Sequence, residues 1–268
     1  MHQSGYITFG SKRFHFLRFG NGKKLIITFH GYGNDASIFA IFHSYLPDHT
    51  IISVDLPYHG GSEWTEEKQL EKADLIELVQ ELMKETNVER VNLAGYSIGA
   101  RACLCITELM PEHIDKILLI APDGLVPNTL YSFVTRNALG KWLFKDFLTK
   151  PSRYMYLINL LNKINLVNDA RYKFAMHYIS NEAGRDLLLR VWPNLGHIVP
   201  DKKKLREAIK KYKLPVHIFI GRRDKVILIR YGEEFKKGLD SVQLAVVEKG
   251  HWLMDEETVS KMAKSLQT

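Results

Sequence analysis

Ser97 stands between two glycines in Gly95-Tyr96-Ser97-Ile98-Gly99. The apolar run 91–94 precedes it, and a helical pattern closed by Pro111 follows. In a G-x-S-x-G turn from strand to helix, the serine Oγ is lifted clear of the sheet edge and its neighbours must be small. The adjoining helix N-terminus favours developing negative charge. A hydroxyl is a weak nucleophile without a base, so a histidine is required, held in one tautomer by an acid. Of eleven histidines, His251 in Gly250-His251-Trp252 comes just after the last strand-like run, 244–247. His30 also follows a strand-like run, but it adjoins a glycine-rich loop and reads as a loop anchor. His43, His49, His113, His177 and His197 lack a strand-end setting and read as surface or lid residues; His217 lies inside a strand. Asp224, after run 216–220, is the expected acid, with Asp123 after run 117–120 as its rival. Acyl transfer also needs donors for an oxyanion. The loop His30-Gly31-Tyr32-Gly33-Asn34-Asp35 suits that purpose, so the backbone N–H groups of Tyr32 and Ile98 are the expected oxyanion hole.

Those residues require a sheet whose strand ends share one edge. Runs 25–29, 51–54, 91–94 and 117–120 are short and almost continuously apolar, the pattern of strands covered on both faces. Residues 6–19 with the turn Gly20-Asn21-Gly22 suggest an antiparallel hairpin at a sheet edge. Thr65 is the expected cap of a helix carrying Leu75, Val79, Leu82 and Met83 on one face. Strands alternating with helices imply a mostly parallel central sheet flanked by helices. From 128 to 212 only helical patterns occur, so an inserted all-helical cap is expected. The expected division is 1–123 and 214–268 for the core and 124–213 for the cap, with a closing helix near 257–265.

Composition narrows the class. The 268 residues carry a formal charge of +7 and only two cysteines, which argues against a disulfide-dense scaffold. Cys103 and Cys105 lie two apart on a helical pattern, cannot bridge each other and lack metal-ligand spacing, so neither metal nor cofactor is expected. No apolar run approaches bilayer length and no secretory leader is visible, which suggests a cytoplasmic protein. The positive excess is local: residues 1–120 sum to −4, 121–215 to +10 and 216–268 to +1. The lysine-rich stretch 202–213 has the pattern of a solvated helix face; nucleic-acid binding is not expected, while an anionic substrate or carrier fits a basic cap.

Together the order Ser97, Asp224, His251, the His30-Gly31 loop and the stretch Asp55-Leu56-Pro57-Tyr58-His59-Gly60-Gly61-Ser62 resemble the α/β-hydrolase superfamily. The resemblance covers residues 20–123 and 214–268 and implies a cap inserted after the sixth strand. Where Tyr58 stands the family usually has glycine, and His59 there is generally structural. A serine nucleophile sets the chain apart from members that use aspartate, such as haloalkane dehalogenases and epoxide hydrolases. The implied activity is hydrolysis of an ester or thioester of a small acyl substrate. Trp252 after the histidine and Arg190 in the cap also resemble carbon–carbon hydrolases of ring-fission products. Tyr96 argues against that alternative, since those enzymes usually carry asparagine there. Trp252, Arg190 and Tyr96 are the expected pocket residues. A non-catalytic ligand-binding homologue is the alternative from another class.

Overall fold

The computed structural model describes residues 3–10, 12–64, 69–155, 176 and 179–267. Eight strands form one sheet in the order β1-β2-β4-β3-β5-β6-β7-β8: β1 Gln3–Phe9, β2 Lys12–Phe19, β3 Lys24–Phe29, β4 His49–Val54, β5 Val91–Tyr96, β6 Ile114–Ile120, β7 Val216–Gly221 and β8 Val242–Val247. β1 pairs antiparallel with β2, and β2 antiparallel with β4. Every pairing from β4 to β8 is parallel. Strands β3 to β7 are buried along nearly their whole length, as their unbroken apolar runs require. The edge hairpin turns at Gly10, inside residues 6–19, whereas Gly20–Gly22 links β2 to β3, which pairs with β4 and β5 and not with β2.

Helices cover both faces. On one, α1 Lys72–Thr86 and α2 Gly99–Leu109 pack on the central strands, and α6 Lys202–Tyr212 packs on α2. On the other, Phe39, Phe42 and Leu46 of the 3-10 segment Ala36–Tyr45 join Val259, Met262 and Leu266 of the last helix, α8 Glu256–Gln267, in one core cluster. The short α7 Ile229–Lys236 lies beside β8. Helix α1 starts later than the sequence suggests: Glu71 caps it in a reciprocal box with Asp74, while Thr65 lies outside the described residues. His49, expected at the surface or in the lid, opens β4 and is buried.

The chain divides into two compact units. The first holds the sheet and comprises Met1–Thr65, Leu70–Pro127 and Ile198–Thr268. The second comprises Glu66–Gln69 and Asn128–His197 and contains α3 Thr129–Arg136, α4 Ala138–Thr149 and α5 Glu182–Asn194. Asn128, Asn137 and Asn181 cap these three helices with their side-chain oxygens. The second unit ends at His197, short of the expected 213, because α6 buries Leu205, Ala208 and Ile209 in the sheet unit. Among the described residues no helix is long and apolar enough to cross a membrane.

Candidate active site

Strand β5 delivers Ser97 to the sheet edge, and α2 begins two residues later. Ser97 has φ +51°, a left-handed conformation that costs a non-glycine residue about 1–3 kcal/mol. The flanking glycines are needed for space. A Cβ on Gly95 would lie 2.6 Å from Ala100 Cα, and one on Gly99 would lie 2.1 Å from the Phe29 carbonyl oxygen. The turn is tied to the neighbouring strand: Ser97 N–H donates to the Ile120 carbonyl (2.9 Å), and Asp123 N–H donates to the Ser97 carbonyl (3.0 Å).

His251, beyond β8, reaches Ser97. Its Nε2 lies 3.1 Å from Ser97 Oγ and its Nδ1 lies 2.7 Å from Asp224 Oδ2. Asp224 has a fully buried side chain, and its second oxygen accepts from the N–H groups of Val226 (2.8 Å) and Ile227 (2.9 Å). That wiring leaves Oδ2 for the imidazole and fixes the tautomer: Nδ1–H donates to Asp224, so Nε2 accepts from the serine hydroxyl. Asp123 is engaged elsewhere. One of its oxygens is 2.5 Å from Nη2 of the buried Arg101, and the other accepts from Gly124 N–H.

The Tyr32 loop abuts this turn: a Cβ on Gly31 would sit 2.7 Å from the Tyr96 ring. Three hydrogen bonds staple it to the 55–62 loop. Leu56 N–H donates to His30 Nε2 (2.9 Å), Gly33 N–H to His59 Nε2 (3.1 Å) and Ala36 N–H to Asp55 Oδ1 (2.6 Å). Each imidazole donates from its other nitrogen to a carbonyl, His30 to Gly31 and His59 to Pro57. Both rings must be neutral to accept, and burial favours that form: His30 is pushed down to about 4, chiefly by desolvation and then by His59, and His59 is lowered by desolvation. Ile98 is buried at the start of α2 with φ −62° and ψ −29°.

A second Ser–His–Asp chain exists at the sheet edge. Ser4 Oγ lies 2.8 Å from His15 Nε2, and His15 Nδ1 lies 2.6 Å from Asp55 Oδ2. Ser4 sits in the extended edge strand β1, without a strained turn or a following helix. Asp55 also accepts from Ala36 and Gly61 N–H, so this cluster braces the 55–62 loop. No sequence pattern marks His15 or Arg101, and Asp55 stands out only within the 55–62 stretch; a partly buried histidine alternating with Phe14 and Phe16 is the signal that points to the brace.

The three expected pocket residues lie apart in kind. Tyr96 is buried, with its hydroxyl donating to the His251 carbonyl (3.3 Å) and its ring edge-on to Trp252 at 5.8 Å. Trp252 is half exposed. Arg190 belongs to α5 of the second unit and pairs with Asp186 at 2.9 Å. Among the described residues no group of three or more His, Cys, Asp or Glu side chains has metal-holding geometry.

A mostly parallel sheet with a serine on a strained strand-to-helix turn, hydrogen-bonded to a histidine that is in turn bonded to a buried aspartate, has the form of an α/β protein of hydrolase type. Residues 24–258 match the family model described as alpha/beta hydrolase fold, and the chain belongs to that family. It is similar to the uncharacterized hydrolase YugF of Bacillus subtilis (strain 168), 22% identical over 77% of this chain and 75% of that protein. It is also similar to the pimeloyl-[acyl-carrier protein] methyl ester esterase of Pseudoalteromonas atlantica, 25% identical over 68% of each. Among solved structures, the thioesterase domain from the curacin biosynthetic pathway shares the fold with a TM-score of 0.68 at 14% identity, covering all of both chains.

Proposed function

We propose that the protein is a serine hydrolase that cleaves an ester or thioester of a small acyl substrate through an acyl-enzyme. The observation that carries this reading is the continuous hydrogen-bond relay from Ser97 Oγ through His251 to Asp224. Ser97 Oγ attacks the carbonyl carbon while His251 Nε2 takes its proton. The tetrahedral intermediate collapses as the bond to the leaving oxygen or sulfur breaks, and His251 protonates that atom. Asp224 holds Nδ1–H and stabilises the imidazolium. The N–H groups of Tyr32 and Ile98 receive the oxyanion, each such donor being worth about 3–4 kcal/mol. Water, deprotonated by His251, then releases the carboxylic acid and restores Ser97. No step needs a cofactor.

The finer features extend the same reading. Tyr96 and Trp252 border the acyl group, and the basic second unit, Arg190 included, favours an anionic substrate or carrier. The names of the Pseudoalteromonas esterase and the curacin thioesterase domain support a carboxylic acyl bond as the target. Cys103 and Cys105, free and buried, suit a reducing, cytoplasmic setting. The test is a series of nitrophenyl esters and acyl thioesters of increasing chain length, assayed with the unaltered chain and with Ser97→Ala. Hydrolysis should fall by at least about 10⁴-fold in the variant. Undiminished hydrolysis by Ser97→Ala overturns the reading.

A further inference from the structure

The second unit leaves a set of large apolar side chains exposed. Leu130 (67% exposed), Phe133 (39%), Leu139 (59%) and Trp142 (61%) are four of the eight exposed large apolar side chains among the described residues, and they fall within α3 and the first turns of α4. The hairpin does not need them for its own packing. Tyr131, Val134, Thr135, Gly140 and Leu148 are buried, Trp192 stacks on Phe144 at 5.3 Å, and Tyr131 meets Trp192 edge-on at 5.3 Å. The two helices are joined closely, since a Cβ on Gly140 would lie 2.1 Å from the Phe133 carbonyl oxygen. The outward residues of both helices therefore form neighbouring parts of one surface.

Basic residues share that surface. Ala138, Lys141, Trp142, Lys145 and Thr149 are exposed at helical spacing along one side of α4, so Trp142 sits among lysines. Among the described residues neither Lys141 nor Lys145 has a carboxylate partner. Residues 128–197 carry a net charge of +6. We propose that the α3–α4 face docks on an anionic lipid surface, with Trp142 and the leucines in the headgroup and acyl boundary and the two lysines at the phosphates.

The chemistry separates this occupant from others. A two-fold pairing with a second copy would bury the lysines of both copies, all of one sign, in a single contact. Nucleic acid would match the lysines and the aromatic rings, but Leu130 and Leu139 give it nothing to stack on. An anionic bilayer meets both features, because apolar side chains enter the interface and lysines are held near its negative charge. The proposal stands independently of the role given to Ser97.

Sedimentation with vesicles tests it. The full chain is mixed with vesicles of phosphatidylcholine alone or of phosphatidylcholine with phosphatidylglycerol. It should bind only the latter, and less as salt rises. Leu139→Ser with Trp142→Ser, and separately Lys141→Glu with Lys145→Glu, should each lower partitioning by at least about tenfold. Both pairs are exposed, and an unchanged melting temperature verifies the fold. The proposal is overturned if binding is absent, equal on both vesicles or unaffected by both pairs. It is equally overturned if the apolar pair instead dissolves a concentration-dependent dimer.

Discussion

At the residue scale, two aspartates compete for one histidine, and hydrogen-bond supply decides between them. Asp224 spends one oxygen on two backbone N–H groups and keeps the other for His251, whereas Asp123 is held by Arg101. Asp224→Asn should therefore lower kcat by about 10³–10⁴-fold, because an amide that donates to Nδ1 stabilises the wrong tautomer. Asp123→Asn should leave kcat within about threefold but reduce stability by about 1–3 kcal/mol, since buried Arg101 loses its charged partner. Steady-state kinetics and urea melts of both variants separate the two roles. The strand-end positions of Ser97 and His251 are legible in the sequence, because a short apolar run ends just before each. The brace around Asp55 was not, because its partners His15, Ala36 and Gly61 meet only after the edge hairpin folds back on β4.

Among the elements, the strand-to-helix turn is the most demanding. Gly99→Ala places a methyl group against the Phe29 and His30 carbonyls, so β3 and α2 must separate. We expect a loss of about 2–4 kcal/mol, read as a lower urea midpoint, together with reduced reactivity of Ser97. The central strands were readable because burial on both faces leaves continuous apolar runs. Helix α7 was not: it has only eight residues, with Gly232 in the middle. A Cβ there would approach Ile220 and Leu244 side chains at 2.9 Å, so tertiary packing overrides helix propensity. The edge hairpin lies earlier in the chain than its glycines suggest, for a related reason. The charged and aromatic mix of residues 3–19 conceals the turn at Gly10, while the more conspicuous Gly20–Gly22 marks a crossover.

Across the whole molecule, charge and protonation set the working conditions. His30 is held neutral down to about 4, against an ordinary 6.5, and burial lowers His59 as well. Between those two values the unfolded chain takes up a proton at His30 that the folded chain refuses. Stability is thus fully present above about pH 6.5 and falls as the pH drops towards 4, by roughly 3 kcal/mol from His30 alone. Urea midpoints measured across that range should decline on the acid side. The positive excess divides between two places, +6 in residues 128–197 and +5 in 198–215, the latter including the lysine face of α6 in the sheet unit. If the charge guides an anionic substrate, kcat/KM for an anionic ester should fall as salt rises while that for a neutral ester stays level.

The central claim is that Ser97 is an activated nucleophile. Treating the protein with a fluorophosphonate and measuring intact mass and modified peptides tests it most directly. The relay predicts one adduct per chain on Ser97, none in Ser97→Ala and a much slower reaction in His251→Ala. No adduct on the unaltered chain, or one of equal yield in Ser97→Ala, would contradict it.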